Sequence, residues 1–160
     1  MPAAGLLILR IALAAVLLAH GTHDLFGVFE SPGIGHGGLV ARAAYLTAIG
    51  LTPAMIFAVV GAVLDALGGL LLAIGMFTRA AALIVGAFQV LLLWTDAWRW
   101  GFFLNWTTTP GQGQGMEFQG LLIGMLVCLF LAGAGDWSLD GIRNRKAAIR
   151  SAGRARLRSK

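Results

Sequence analysis

Four apolar runs divide the chain, over roughly residues 5–26, 53–76, 80–98 and 116–134. Each is near the 20 or so residues that a helix needs to cross a bilayer. Pro53 suits a helix start, where its missing N–H is not needed. The turn "GMFTR" between the second and third runs is short, so those two spans must be antiparallel neighbours. The longer polar stretches, about 27–52 and 99–115, are Gly-rich loops, and the second carries "TTTPGQGQG". Within the first, "LVARAAYLTAIGL" predicts a short interfacial helix, too short to span, with Tyr45 near the headgroups. No internal repeat is visible. The pattern predicts an all-α membrane protein, an antiparallel four-helix transmembrane bundle. Small residues at four-residue spacing, Gly120 with Gly124 and Gly61 with Asp65, predict close helix packing.

Composition strengthens the membrane reading. The 160 residues are 58% hydrophobic and 12% charged, where a soluble domain carries about 25% charge. Mean hydropathy is +0.82. The net charge of +5 is uneven, because eight of the twelve basic residues follow Ile142. A basic segment beside a span marks the cytoplasmic side. Without interleaved aromatics it does not read as a nucleic-acid site. Four spans then place both termini in the cytoplasm, with the protein integral to the cytoplasmic membrane. Residues 1–140 form the membrane domain and 141–160 a basic cytoplasmic tail. The first run has no preceding positive charge, is interrupted by Arg10 and lacks a clean cleavage site, so it reads as a retained span. Cys128, the single cysteine, excludes an internal disulfide or CxxC redox pair.

Ionisable residues inside spans are costly and so stand out. His20, His23 and Asp24 close the first run, Asp96 ends the third, and Glu117 starts the fourth. Three spans thus bring acid–base groups to one level near the outer surface. The spacing puts His20, His23 and Asp24 on one helix face. A His–Asp pair orients an imidazole for proton transfer. The rival readings are a polar helix end, with Glu117 favoured by the helix dipole, and a partial metal site. The set completes no familiar metal motif, and no haem or flavin motif is present. Asp65 lies mid-span and Arg10 enters from the inner side, so a buried Arg10–Asp65 pair is expected, with Gln89 joining it or the Asp96 group. Trp94, Trp98, Phe102 and Phe103 gather near the outer end of the third span, with Trp100 and Trp106 close by. They read either as an interfacial belt or as walls for a flat hydrophobic head group such as a quinone.

Several of these segments, in order, resemble the DoxX-like membrane proteins. The pieces are Arg10, "HG" at His20–Gly21, "LFG" at Leu25–Gly27, Asp65 before Gly68–Gly69, Gly75 with "TR" at Thr78–Arg79, "GME" at Gly115–Glu117 and "GAGDWSLD" at Gly133–Asp140. The chain departs from that pattern at Asp24, where the family often has Lys, at His23, and at Asp65, where Glu is more usual. The resemblance is to a family similar to the membrane subunit of thiosulfate:quinone oxidoreductases. It implies a quinone-interacting membrane component of a redox system that needs a partner for electron delivery. Proton handling would fall to His20, His23, Asp24, Asp96 and Glu117, with Trp94, Trp98, Phe102 and Phe103 around the quinone. The alternative is a non-enzymatic accessory subunit of a larger membrane complex. Either way the expected partners are the bilayer and other protein subunits. A transporter is disfavoured, since four short spans without repeats leave it little room.

Overall fold

A computed structural model describes residues 3–29, 37–107, 109 and 112–158. His36 and parts of both predicted loops lie outside the described residues. Six α-helices follow in order: α1 (Ala3–Phe26), α2 (Leu39–Ala48), α3 (Ala54–Ile74), α4 (Thr78–Thr95), α5 (Glu117–Ala132) and α6 (Leu139–Arg158), with a 3₁₀ turn at Ala97–Trp100. No strand occurs among the described residues.

By length and composition, α1, α3 and α4 can each cross a membrane. The fourth predicted span is α5, apolar but only 16 residues long. At 1.5 Å per residue it reaches about 24 Å, short of a hydrocarbon core of about 30 Å.

The helices pack as antiparallel neighbours. Gly21 of α1 lies against Ala66 of α3, while Ala14, a turn or two earlier in α1, meets Gly69 further along α3. Val85 reaches Gly68 and Phe88 reaches Gly61, which sets α4 on the other side of α3. Helix α5 packs mainly on α4 and also touches α1. The interior between α1, α3, α4 and α5 is aliphatic, built on Leu13, Leu17, Leu72, Val85, Leu126 and Leu129. A second cluster, with Leu46, Ala58, Phe88 and Leu92, seats the predicted interfacial helix α2 on α3 and α4.

The "GMF" turn is closed by Gly75 at φ +69°, a left-handed position that suits glycine. The Gly75 and Met76 N–H groups donate back to Leu72 and Leu71, satisfying the last carbonyls of α3. Asp140 then locks the turn. Its carboxylate accepts from the Phe77 and Thr78 N–H groups at the start of α4, at 3.1 and 2.9 Å, and its own N–H donates to Gly75.

The expected Arg10–Asp65 pair does not form. Arg10 donates instead to four backbone carbonyls: Leu72 (2.9 Å), Ala73 (3.0 Å), Ala134 (2.6 Å) and Trp137 (3.1 Å). The antiparallel register explains this. It sets Arg10 opposite the last turn of α3, and Asp65 lies seven residues, about 10 Å, back along that helix. Asp65 accepts from Gln89 Nε2 at 3.2 Å instead. The predicted approach at Gly120 and Gly124 is also absent, since nothing lies within 4 Å of a Cβ built at either. Between the long helices the close approaches are made by Gly21, Gly68 and the predicted Gly61.

Candidate functional site

At the end of the bundle away from Arg10, the helices enclose a polar cavity of about 280 Å³. His20 and Asp24 come from α1, Arg42 and Tyr45 from α2, Asp65 from α3, and Gln89 and Asp96 from the α4 side. Phe118 and Gln119 of α5, with Leu17, Leu92 and Leu122, complete most of the wall. The His20 ring sits 6.1 Å from the Phe118 ring. His20 is also an exposed residue.

The predicted outer cluster therefore divides. His20, Asp24 and Asp96 line the cavity, and Asp65 joins them. His23 does not, although it is buried. Its Nδ1 pairs with the Val28 carbonyl at 2.7 Å, and its own carbonyl accepts from Gly27 and Gly38, so it closes the loop after α1. Glu117 accepts from the Leu104 N–H at 3.3 Å and helps hold the 101–105 loop. The four aromatics expected around a head group do not line the cavity. Trp94 (72% exposed) stacks on Trp98, and Phe103 (71% exposed) meets Phe102 edge-on, all on the outer surface. Exposed aromatics near a span end are what an interfacial belt requires.

Arg42, which had no role from the sequence, and Tyr45, expected near the headgroups, are both wall residues. Both fasten α2 over the cavity. Arg42 Nε lies 3.3 Å from Asp24 Oδ2, and the Tyr45 hydroxyl donates to Asp96 Oδ2. Asp96 also accepts from Arg99 (2.8 Å) and from Trp100 Nε1 (3.0 Å). The available signal was their three-residue spacing, which puts an arginine and a phenol on one face of a short helix.

The Tyr45–Asp96 clasp has a pH window. Burial pushes the Tyr45 hydroxyl above its usual value, and donation to Asp96 adds to this. Burial acts upward on Asp96 too, but the bonds from Tyr45, Trp100 and Arg99 outweigh it and hold the carboxyl below its ordinary range. A depressed carboxyl stabilises the fold above its unfolded pKa of about 4, and that contribution is lost as pH falls through the lower folded value. A raised phenol contributes below its unfolded pKa of about 10 and loses that contribution as pH rises further. Protection of the α2 amides from hydrogen exchange, taken relative to the intrinsic rate at each pH, is therefore expected to be highest between these limits and to fall on either side. In Asp96→Asn the acid-side loss of protection should disappear.

Among the described residues, no three His, Cys, Asp or Glu side chains converge to hold a metal ion. The chain is thus a helical membrane protein with a polar cavity set into one end of its helix bundle. It belongs to the DoxX family, whose family model matches residues 5–98. No curated protein and no solved structure matches it significantly.

Proposed function

We propose that the protein is a quinone-interacting component of a membrane redox system, working with a partner that delivers electrons. In this reading α5 is the fourth crossing, both termini are cytoplasmic, and the cavity faces the outer leaflet of the cytoplasmic membrane. The observation that carries the proposal is the meeting of His20, Asp24, Arg42, Tyr45, Asp65, Gln89 and Asp96 around one cavity in an otherwise apolar bundle. At about 280 Å³ it is near the lower end of ligand-pocket sizes. It suits a single-ring head group whose apolar tail stays in lipid, and the exposure of His20 gives that tail a way out.

Reduction of a quinone to a quinol consumes two electrons and two protons. Electrons come from the partner's redox centre. This chain supplies hydrogen-bond donors to the ring oxygens, from Arg42 and Gln89, and groups that carry protons, His20 and Asp65. Asp65 is suited to this because its hydrogen-bond partner is the neutral Gln89 amide rather than a cation.

The test is titration of the purified protein in nanodiscs with a short-chain quinone, read by quenching of Trp fluorescence. Trp100, bonded to Asp96, reports from beside the cavity. Saturable quenching is expected. His20→Ala and Gln89→Leu should each weaken binding about tenfold, the scale of one lost hydrogen bond. Phe103→Ala, away from the cavity, should not change it. Failure of the wild type to bind any quinone would overturn the proposal and leave the accessory-subunit reading.

A further inference from the structure

We infer that a second site, at the opposite end of the bundle, binds the phosphodiester headgroup of an anionic phospholipid. A groove of about 1000 Å³ runs between the first turn of α4, the last turn of α5 and the first half of α6. Arg79, Arg143 and Arg145 line it, with Asp136 and Asp140 as the acidic members, so it is net positive.

The arginines have donors to spare. Arg79 Nη2 donates to the Leu131 carbonyl at 3.1 Å, and Arg145 Nη2 to the Asp136 carbonyl at 2.9 Å. Arg143 lies over the Phe77 ring, 5.4 Å from its centroid. Among the described residues none of the three pairs with a carboxylate; the ion pairs present are Asp24–Arg42 and Asp96–Arg99, at the other end. Asp140 is committed to the Phe77 and Thr78 N–H groups. A guanidinium has five N–H donors in a planar fork, which matches phosphate oxygens in pairs. With three guanidiniums against two carboxylates the groove keeps a net positive charge, which a bound phosphate neutralises.

Depth and neighbours favour lipid over a soluble anion. The groove lies where the apolar helix α4 begins and α5 ends, the level at which headgroups would meet a bundle that spans the bilayer. Directly along the two helices, Leu83, Ile84, Val127 and Leu131 present exposed apolar side chains. They form a track on which acyl chains can lie while the headgroup sits among the arginines. Basic pockets of this kind between membrane helices take acidic headgroups.

The experiment uses the full-length protein in detergent and measures binding of phosphatidylglycerol, phosphatidylcholine and inorganic phosphate by native mass spectrometry and thermal shift. Phosphatidylglycerol should bind at least about tenfold more tightly than phosphatidylcholine, and phosphate alone should bind weakly. Each arginine near an anionic headgroup contributes about fivefold. Arg79→Gln/Arg143→Gln/Arg145→Gln should therefore abolish the preference. Arg143→Gln alone, which loses only a ring contact and so preserves the fold, should lower it about fivefold. Arg150→Gln/Arg154→Gln, further along α6, should leave it in place. Equal binding of the two lipids, or equal loss in the α6 control, would overturn the site. Tight binding of phosphate alone would reassign it to a soluble anion.

Discussion

Arg10→Ala is expected to destabilise the protein by about 3–5 kcal/mol, read as a loss in thermal or denaturant unfolding in detergent. Arg10 is 1% exposed, yet no carboxylate pairs with it. Its charge is met by carbonyl dipoles. Leu72 and Ala73 belong to the last turn of α3, the negative end of that helix's dipole. Ala134 and Trp137 lie in the turn between α5 and α6, where no helical donor is available to their carbonyls. Alanine leaves these acceptors without their charged donor and opens a cavity beside Ser138 and Gly75. Because domains are stable by only about 5–15 kcal/mol, this is a large fraction of the total. Arg10→Lys keeps the charge but cannot span four carbonyls with one nitrogen, so about half the loss is expected. Asp65→Asn is the contrasting variant. Gln89 can still bond to it, so a loss below about 1 kcal/mol is expected. A loss in Arg10→Ala/Asp65→Asn that departs from the sum of the two single losses would instead indicate that the two groups are coupled.

That contrast also shows which parts of the structure were legible in the sequence. The four long apolar helices were, because each is a sustained apolar run, with a recognisable stop for α3 at Gly75 and for α5 at Gly133; the polar helix α6, read only as a basic tail, was not. The register between helices was not. Arg10 and Asp65 looked like partners because both are ionisable and both lie within apolar runs, but a shift of two helical turns between α1 and α3 separates them. The same limit applies at the cavity. His20 and Asp24 project into it, whereas His23, on a neighbouring helical position, turns to the loop backbone. Periodicity gives the face of a helix but not which neighbour covers it. Arg42 and Tyr45 were missed for a related reason. A ten-residue helix in a loop carries no depth signal, and only the tertiary packing of Leu46 against Phe88 and Leu92 brings it over the site. Three pieces of the family pattern, Arg10, Gly75 and Asp140, have a common reason in the structure: they meet at one end of the bundle, where the α3–α4 turn, the α5–α6 turn and the start of α6 are bonded together.

Gly21→Ala is expected to be the most disruptive single-methyl change at the α1–α3 contact beside the cavity. A Cβ at Gly21 would lie 2.3 Å from the Ala66 backbone nitrogen and 2.8 Å from its Cα. Backbone cannot rotate out of the way, so α1 and α3 must separate along their most extensive contact. Overpacking of this kind costs about 1–3 kcal/mol, and more where the obstacle is main chain. The functional consequence is larger than the stability loss implies. Gly21 stands between His20 and Asp24 on α1, and Ala66 follows Asp65 on α3. A shift between the two helices therefore moves three of the cavity's titratable groups relative to each other. Quinone binding should fall at least about tenfold in Gly21→Ala even under conditions where the protein remains folded. Gly120→Ala and Gly124→Ala, which carry the more familiar small-residue spacing, meet open space. There the gain in helix propensity, about 0.5–1 kcal/mol, should make each variant neutral or slightly more stable, with binding unchanged. The sequence spacing ranks Gly120 and Gly124 above Gly21 as packing positions, whereas the distances reverse that order. Unfolding midpoints of the three variants decide between the two rankings.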